Sequence, residues 1–167
     1  MRTSFLYLTL FSFLFIVSSE EKVFSQNKKE IQRNTIKSTT ESVTETVAGE
    51  EVTYKDTYST FDKKGDLLEE IKYNHDGTIY KKVTTKYDNS KNKIEEIQYD
   101  GNGTMEKKQL CSYNSKGNKT LEVEYDGSNN LVKKTVYVYD SKGLRIEKKV
   151  YSGDGVLQKS HKFSYEM

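Results

Sequence analysis

From residue 39 onward the chain alternates short stretches of mixed apolar and charged residues with clusters of Asp, Asn, Ser and Gly. The stretches are rich in Val, Ile, Thr and Tyr, which is strand chemistry, and the clusters supply turn hydrogen bonds and positive φ. LLEEIKY (Leu67–Tyr73) runs into NHDG (Asn74–Gly77), and TIYKKVTTKY (Thr78–Tyr87) runs into DNSK (Asp88–Lys91). No stretch after residue 50 keeps a helical apolar period long enough to bury a stripe. The pattern predicts antiparallel strands joined by tight turns.

A period of 26 residues organises them. Phe61, Tyr87, Tyr113, Tyr139 and Tyr165 follow it without a slip, as do Tyr73, Tyr99, Tyr125 and Tyr151. Gly77, Gly103 and Gly155 share a phase that Asn129 completes; Gly65, Gly117 and Gly143 share another in which Lys91 is the exception. Such regularity is the mark of a repeat architecture. Each period holds one hairpin, and Thr39–Val47, Ala48–Glu51 and Val52–Phe61 extend the plan backward. The fold class is therefore all-β, an antiparallel meander of about ten strands within a repeat domain at 39–167.

Charge follows the same phase. Folding the hairpin about Asn74–Gly77 is expected to set Glu70 opposite Lys81 and Glu69 opposite Lys82. Consecutive Glu-Glu and Lys-Lys pairs place charge on both faces, which removes the clean apolar face a sandwich needs. The sheet is expected to be twisted and thinly packed, either a single layer or an open barrel or spiral.

The N-terminus differs. Arg2 precedes a thirteen-residue apolar run, Phe5–Val17, too short for the roughly 20 residues of a membrane helix. A basic start, a short apolar centre and small residues afterwards read as a secretory signal peptide over 1–25, cleaved after Ser19 or Ser25. Residues 26–38 have no apolar period and read as a flexible leader. The mature chain is expected outside the cytoplasm, in the periplasm, at the cell surface or secreted, with no transmembrane segment after signal removal.

Composition narrows the function classes. Lys plus Arg number 27 against 25 Asp plus Glu, so nothing favours a nucleic-acid partner. A single Cys excludes an internal disulfide and Cys-rich zinc sites. From Gln26 onward Leu, Ile, Val and Phe make only 26 of 142 residues, so aromatic rings must replace part of a missing aliphatic core. The two histidines, His75 and His161, sit at unrelated phases, and the carboxylates lie mostly in columns matched to lysines. No catalytic residue, metal ligand or cofactor motif stands out, and the chain is read as a non-enzyme.

Several turns have a Tyr-Asp-to-Gly form: FDKKG (Phe61–Gly65), YNSKG (Tyr113–Gly117), YDSKG (Tyr139–Gly143), YNHDG (Tyr73–Gly77), YDGNG (Tyr99–Gly103) and YSGDG (Tyr151–Gly155). Over residues 61–165 they resemble the tyrosine-aspartate repeats of the RHS type, found in bacterial cell-surface and secreted proteins. The resemblance implies a spiralling β-repeat module outside the cytoplasm; some repeats of that family are linked to carbohydrate binding. The chain is too short for that family's closed shell, so its encapsulation role does not carry over.

The candidate ligand-binding residues are Tyr73, Tyr99, Tyr125 and Tyr151, a row of rings able to stack on sugar faces or hold a protein. The leading expectation is an exported binding or surface module for a glycan or cell-envelope component. The alternative is a structural or interaction module that pairs with a protein partner through its sheet edges.

Overall fold

The computed structural model describes residues 28–166. The signal-peptide reading falls on residues outside this range. The described chain is all-β, with ten strands in one sheet in strictly sequential order. They are β1 (Ser38–Val47), β2 (Glu50–Phe61), β3 (Leu67–Tyr73), β4 (Ile79–Tyr87) and β5 (Lys93–Asp100), then β6 (Met105–Tyr113), β7 (Lys119–Asp126), β8 (Leu131–Tyr139), β9 (Arg145–Ser152) and β10 (Leu157–Lys162). Every pairing is antiparallel between chain neighbours, and the sheet is not closed into a barrel. The expected strand count and meander are what the structure contains.

From the turn after β2 onward, the turns repeat one geometry. At Asn74 the backbone N–H donates to the Thr78 carbonyl at 2.8 Å, and the Gly77 N–H donates to the Asn74 carbonyl at 2.9 Å. This is a type I turn closed by a residue at positive φ, the three-residue hairpin loop. Gly65, Gly77, Gly103, Gly117, Gly143 and Gly155 hold the positive φ, and so do the two exceptions, Lys91 at 68° and Asn129 at 61°. Where an Asp opens the loop, its carboxylate also serves it. Asp88 Oδ1 accepts the Ser90 and Asn92 N–H groups at 2.8 and 2.9 Å, and Asp126 Oδ1 accepts those of Ser128 and Asn130 at 3.0 and 2.8 Å.

The cross-strand register differs from expectation. Glu70 faces Val83 and Glu69 faces Thr84, not Lys81 and Lys82. Tyr73 pairs with Ile79 and Lys72 with Lys81, so Tyr80 is an extra, bulged residue. Five residues, 74–78, separate the Tyr73–Ile79 pair, one more than NHDG, and a bulge follows, which together shift the partners by two. The same bulge recurs after every later turn, for example at Ile94, Glu106 and Thr120. Glu69 still reaches Lys82, but diagonally, at 2.6 Å.

Register and side-chain alternation divide the sheet into two faces. Phe61, Tyr87, Tyr113 and Tyr139 share one face with Ser59, Thr85, Cys111 and Thr135. All the strand residues that are buried lie there, so we call it the packed face. Tyr73, Tyr99, Tyr125 and Tyr151 lie on the opposite face. The core is thin: the buried apolar residues are Ile31, Phe61 and Cys111.

Residues 28–33, within the segment expected as a leader, form a short helix. Ile31 is 6% exposed and borders a cavity with Thr57, Ser59, Phe61 and Glu70 of the packed face. Lys28 pairs with the buried Asp66. The helix thus lies against the packed face at the first strands.

Candidate functional site

The four candidate tyrosines end β3, β5, β7 and β9, each directly before a turn. Because the aromatic residue always sits at the same step before the turn, the period fixes both its face and its height. Neighbouring members are two strands apart, about 10 Å. All four are half-buried. The structure thus brings the predicted residues together as one row on one face.

Lysines interleave the row. Cross-strand pairs join Lys82 to Tyr99, Lys108 to Tyr125 and Lys134 to Tyr151. Lys108 Nζ lies 5.8 Å from the Tyr125 ring centroid, within cation–π range. Lys82 is held by Glu69, but Lys108 and Lys134 make no ion pair among the described residues. At the first repeat Lys55 fills the place over the ring: its Nζ is 4.2 Å from the Tyr73 centroid and donates to the Tyr73 hydroxyl at 2.9 Å. The sequence reading saw the lysines only as partners for glutamates. Their 26-residue column at 82, 108 and 134 was the available signal.

The other aromatic column does different work. The Tyr113, Tyr139 and Tyr165 hydroxyls donate to the backbone carbonyls of Lys93, Lys119 and Arg145 at 2.9, 2.8 and 2.8 Å. Each acceptor lies 20 residues earlier, at the start of the partner strand of the same hairpin, so each ring clamps the open end of its own hairpin. Tyr87 has the same phase, and its hydroxyl is pushed up to about 12 by burial first, then by the negative charges of Asp66, Glu96 and Asp62.

Between the packed-face rings lies an ion-pair lattice. Lys93 meets Glu96 at 2.7 Å and Lys119 meets Glu122 at 2.9 Å, in each case across the bulge. Glu124 takes both Lys107 at 2.9 Å and Lys133 at 3.0 Å. Burial works to raise the Glu124 pKa, and the two lysine hydrogen bonds outweigh it, leaving it lowered. These carboxylates are therefore matched by cations.

The remaining candidates are structural. His75 stacks on Tyr54 with ring centroids 4.0 Å apart, and its Nδ1 is 3.2 Å from Glu45. Later repeats put Gly101, Gly127 and Gly153 at this phase, where a Cβ would meet a neighbouring backbone carbonyl at 2.1, 2.4 and 1.8 Å. Cys111 is a buried free thiol. Asp66 was not singled out from sequence; its Oδ2 is buried with no hydrogen-bond partner among the described residues. No group of three or more potential metal ligands occurs among the described residues, and none of their helices is long and apolar enough to cross a membrane.

No family model and no curated protein matches the chain. Among solved structures the chain is similar to TarM, at 18% identity and a TM-score of 0.31, with 84% of this chain and 23% of that one covered. It has a like similarity to a mutant S. aureus TarM in complex with fondaparinux, alpha-GlcNAc-glycerol and UDP, at 18% identity and a TM-score of 0.30, covering 84% of this chain and 26% of that one. A third similarity is to the TcdB2-TccC3-Cdc42 structure, at 11% identity and a TM-score of 0.23, covering 77% of this chain and 10% of that one. The chain spans about a quarter or less of each of these three solved chains.

Proposed function

We propose that the protein is an exported, non-enzymatic β-repeat module that binds a glycan or cell-envelope component along the row Tyr73, Tyr99, Tyr125 and Tyr151. The observation that carries this reading is the contrast between the two aromatic columns. On the packed face Tyr113, Tyr139 and Tyr165 spend their hydroxyls on backbone carbonyls of the partner strand in their own hairpin. Tyr99, Tyr125 and Tyr151 make no such bond among the described residues and stand half-exposed, Tyr125 and Tyr151 beside Lys108 and Lys134. Ring faces at a repeated spacing suit successive sugar rings, and uncompensated lysines suit a polymer that carries anionic groups.

The test is co-sedimentation of the protein with purified cell wall and insoluble polysaccharides. Pelleting with one polymer, lost on replacing Tyr99 and Tyr125 by Ala in a protein that keeps its far-UV spectrum, is the expected result. Pelleting that survives the double replacement removes the row from the account.

A further inference from the structure

Among the described residues the sheet ends in two unpaired edges, β1 and β10. They carry opposite charge. β1 (STTESVTETV) has Glu41 and Glu45 and no basic residue, whereas β10 (LQKSHK) has Lys159, His161 and Lys162 and no acidic one. Inside the sheet, β4, β6 and β8 each meet a glutamate-bearing strand on the side away from their own hairpin partner. Lys86 reaches Glu95 in this way at 2.7 Å, and Lys107 reaches Glu124 at 2.9 Å. By phase, β10 is the next strand of that series, and no acidic strand lies beside it among the described residues.

The faces and heights also match. Alternation from the two edge registers places Glu41 and Glu45, like Lys159 and His161, on the packed face. Neither Glu41 nor Lys159 makes an ion pair among the described residues. Tyr165, the last ring of the packed-face column, is 47% exposed. Beside the first ring, Phe61, opens a cavity of about 560 Å³ lined by Thr35, Ile36, Lys37, Phe61, Asp62 and Lys63. The Phe61 N–H donates to the Lys37 carbonyl at 2.9 Å, which sets this cavity at the end of the sheet where the even-numbered strands finish, as Tyr165 does.

We infer that β10 of one copy pairs with β1 of a second copy, so that the sheet runs on head to tail through successive chains. The even strand number makes the joint antiparallel when the second copy stacks in the same sense, and the meander continues unbroken. Tyr165 of one copy then lies toward the cavity beside Ile36 and Phe61 of the next. Such a joint uses two different surfaces and leaves both outer edges free, so it builds an open filament and not a closed dimer. The inference rests on the edges alone and is independent of the ligand row.

The experiment is sedimentation velocity of the full chain over a wide concentration range, at low salt and at 1 M salt, where charges are screened beyond about 3 Å. The expected result is a sedimentation coefficient that climbs with concentration at low salt and returns toward the monomer value at high salt. Glu41→Lys with Glu45→Lys, and separately Lys159→Glu with Lys162→Glu, each abolish the climb alone, and an equimolar mixture of the two variants restores it. If the β1 variant loses its far-UV spectrum, the β10 variant decides, assayed alone and then mixed with wild-type chain. A monomer at every concentration overturns the inference, as does association that survives high salt and charge reversal.

Discussion

The Tyr139 hydroxyl donates to the Lys119 backbone carbonyl at 2.8 Å, tying together the open end of the hairpin formed by β7 and β8. Tyr113 and Tyr165 do the same one period earlier and one later. In a sheet with so few buried aliphatics, these clamps carry part of what a core supplies elsewhere. Replacing Tyr113 or Tyr139 by Phe is expected to cost about 0.5–1.5 kcal/mol each in urea unfolding, the usual net worth of one hydrogen bond. Tyr99→Phe and Tyr125→Phe are expected to stay within about 0.5 kcal/mol of wild type, since they remove no such bond. Equal losses in the two columns would contradict the division of roles.

The turns allow a prediction of the opposite sign. Lys91 and Asn129 hold positive φ where the other repeats have glycine. A non-glycine residue there carries roughly 1–2 kcal/mol of backbone strain, less for Asn. Lys91→Gly is therefore expected to stabilise the protein by about 1 kcal/mol, offset in part by the entropy glycine adds to the unfolded chain. Asn129→Gly should gain less. Midpoints of denaturant unfolding measure both.

Gly127 and Gly153 are fixed for another reason. A Cβ on Gly153 would lie 1.8 Å from the Leu131 carbonyl oxygen, and one on Gly127 2.4 Å from that of Met105. Backbone on both sides leaves nothing flexible to give way. Gly153→Ala and Gly127→Ala should each cost about 1–3 kcal/mol, the range for overpacking. Gly103→Ala meets no neighbouring atom and should cost only its backbone strain. Thermal melts of the three variants should separate the two causes.

Titration gives two arms of different sign. Asp76, Asp88, Asp126 and Asp154 have pKa values lowered by hydrogen bonds within their own turns. Their contribution is present above the unfolded carboxylate value of about 3.9 and is lost as pH falls through the lower folded values. Tyr87 is raised to about 12. Its contribution is full below the unfolded value of about 10 and declines as pH rises from there toward 12. Ultraviolet titration of the phenols should show a late component near pH 12 that Tyr87→Phe removes.

Much of this architecture is legible in the sequence because the period is strict. The tyrosine phase and the Asx-to-Gly clusters give the strand count, the strand order and the heights of the two aromatic columns. Two features escape it. The bulge after each turn leaves no residue signature: Tyr80, Glu106 and Thr120 occupy it without a shared chemistry. Since a strand repeats every two residues, an unseen insertion changes which charges meet, and Glu69 reaches Lys82 only on the diagonal. The helix at 28–33 was equally hidden. It is too short for a periodic apolar stripe and is held by one buried residue, Ile31, and by a Lys28–Asp66 contact spanning 38 positions. For the candidate row of Tyr73, Tyr99, Tyr125 and Tyr151, position and spacing were readable, but its separation from the clamping column depended on which hydroxyls find a carbonyl.

The most direct measurement compares the two columns for binding in one polymer co-sedimentation series. Tyr99→Ala with Tyr125→Ala is set against Tyr113→Phe with Tyr139→Phe, with unfolding midpoints taken on the same preparations. The account predicts that the first pair loses pelleting while remaining folded, and that the second pair loses stability while still pelleting with the polymer. Pelleting lost only in the second pair, or wild-type protein that pellets with no polymer, would contradict it.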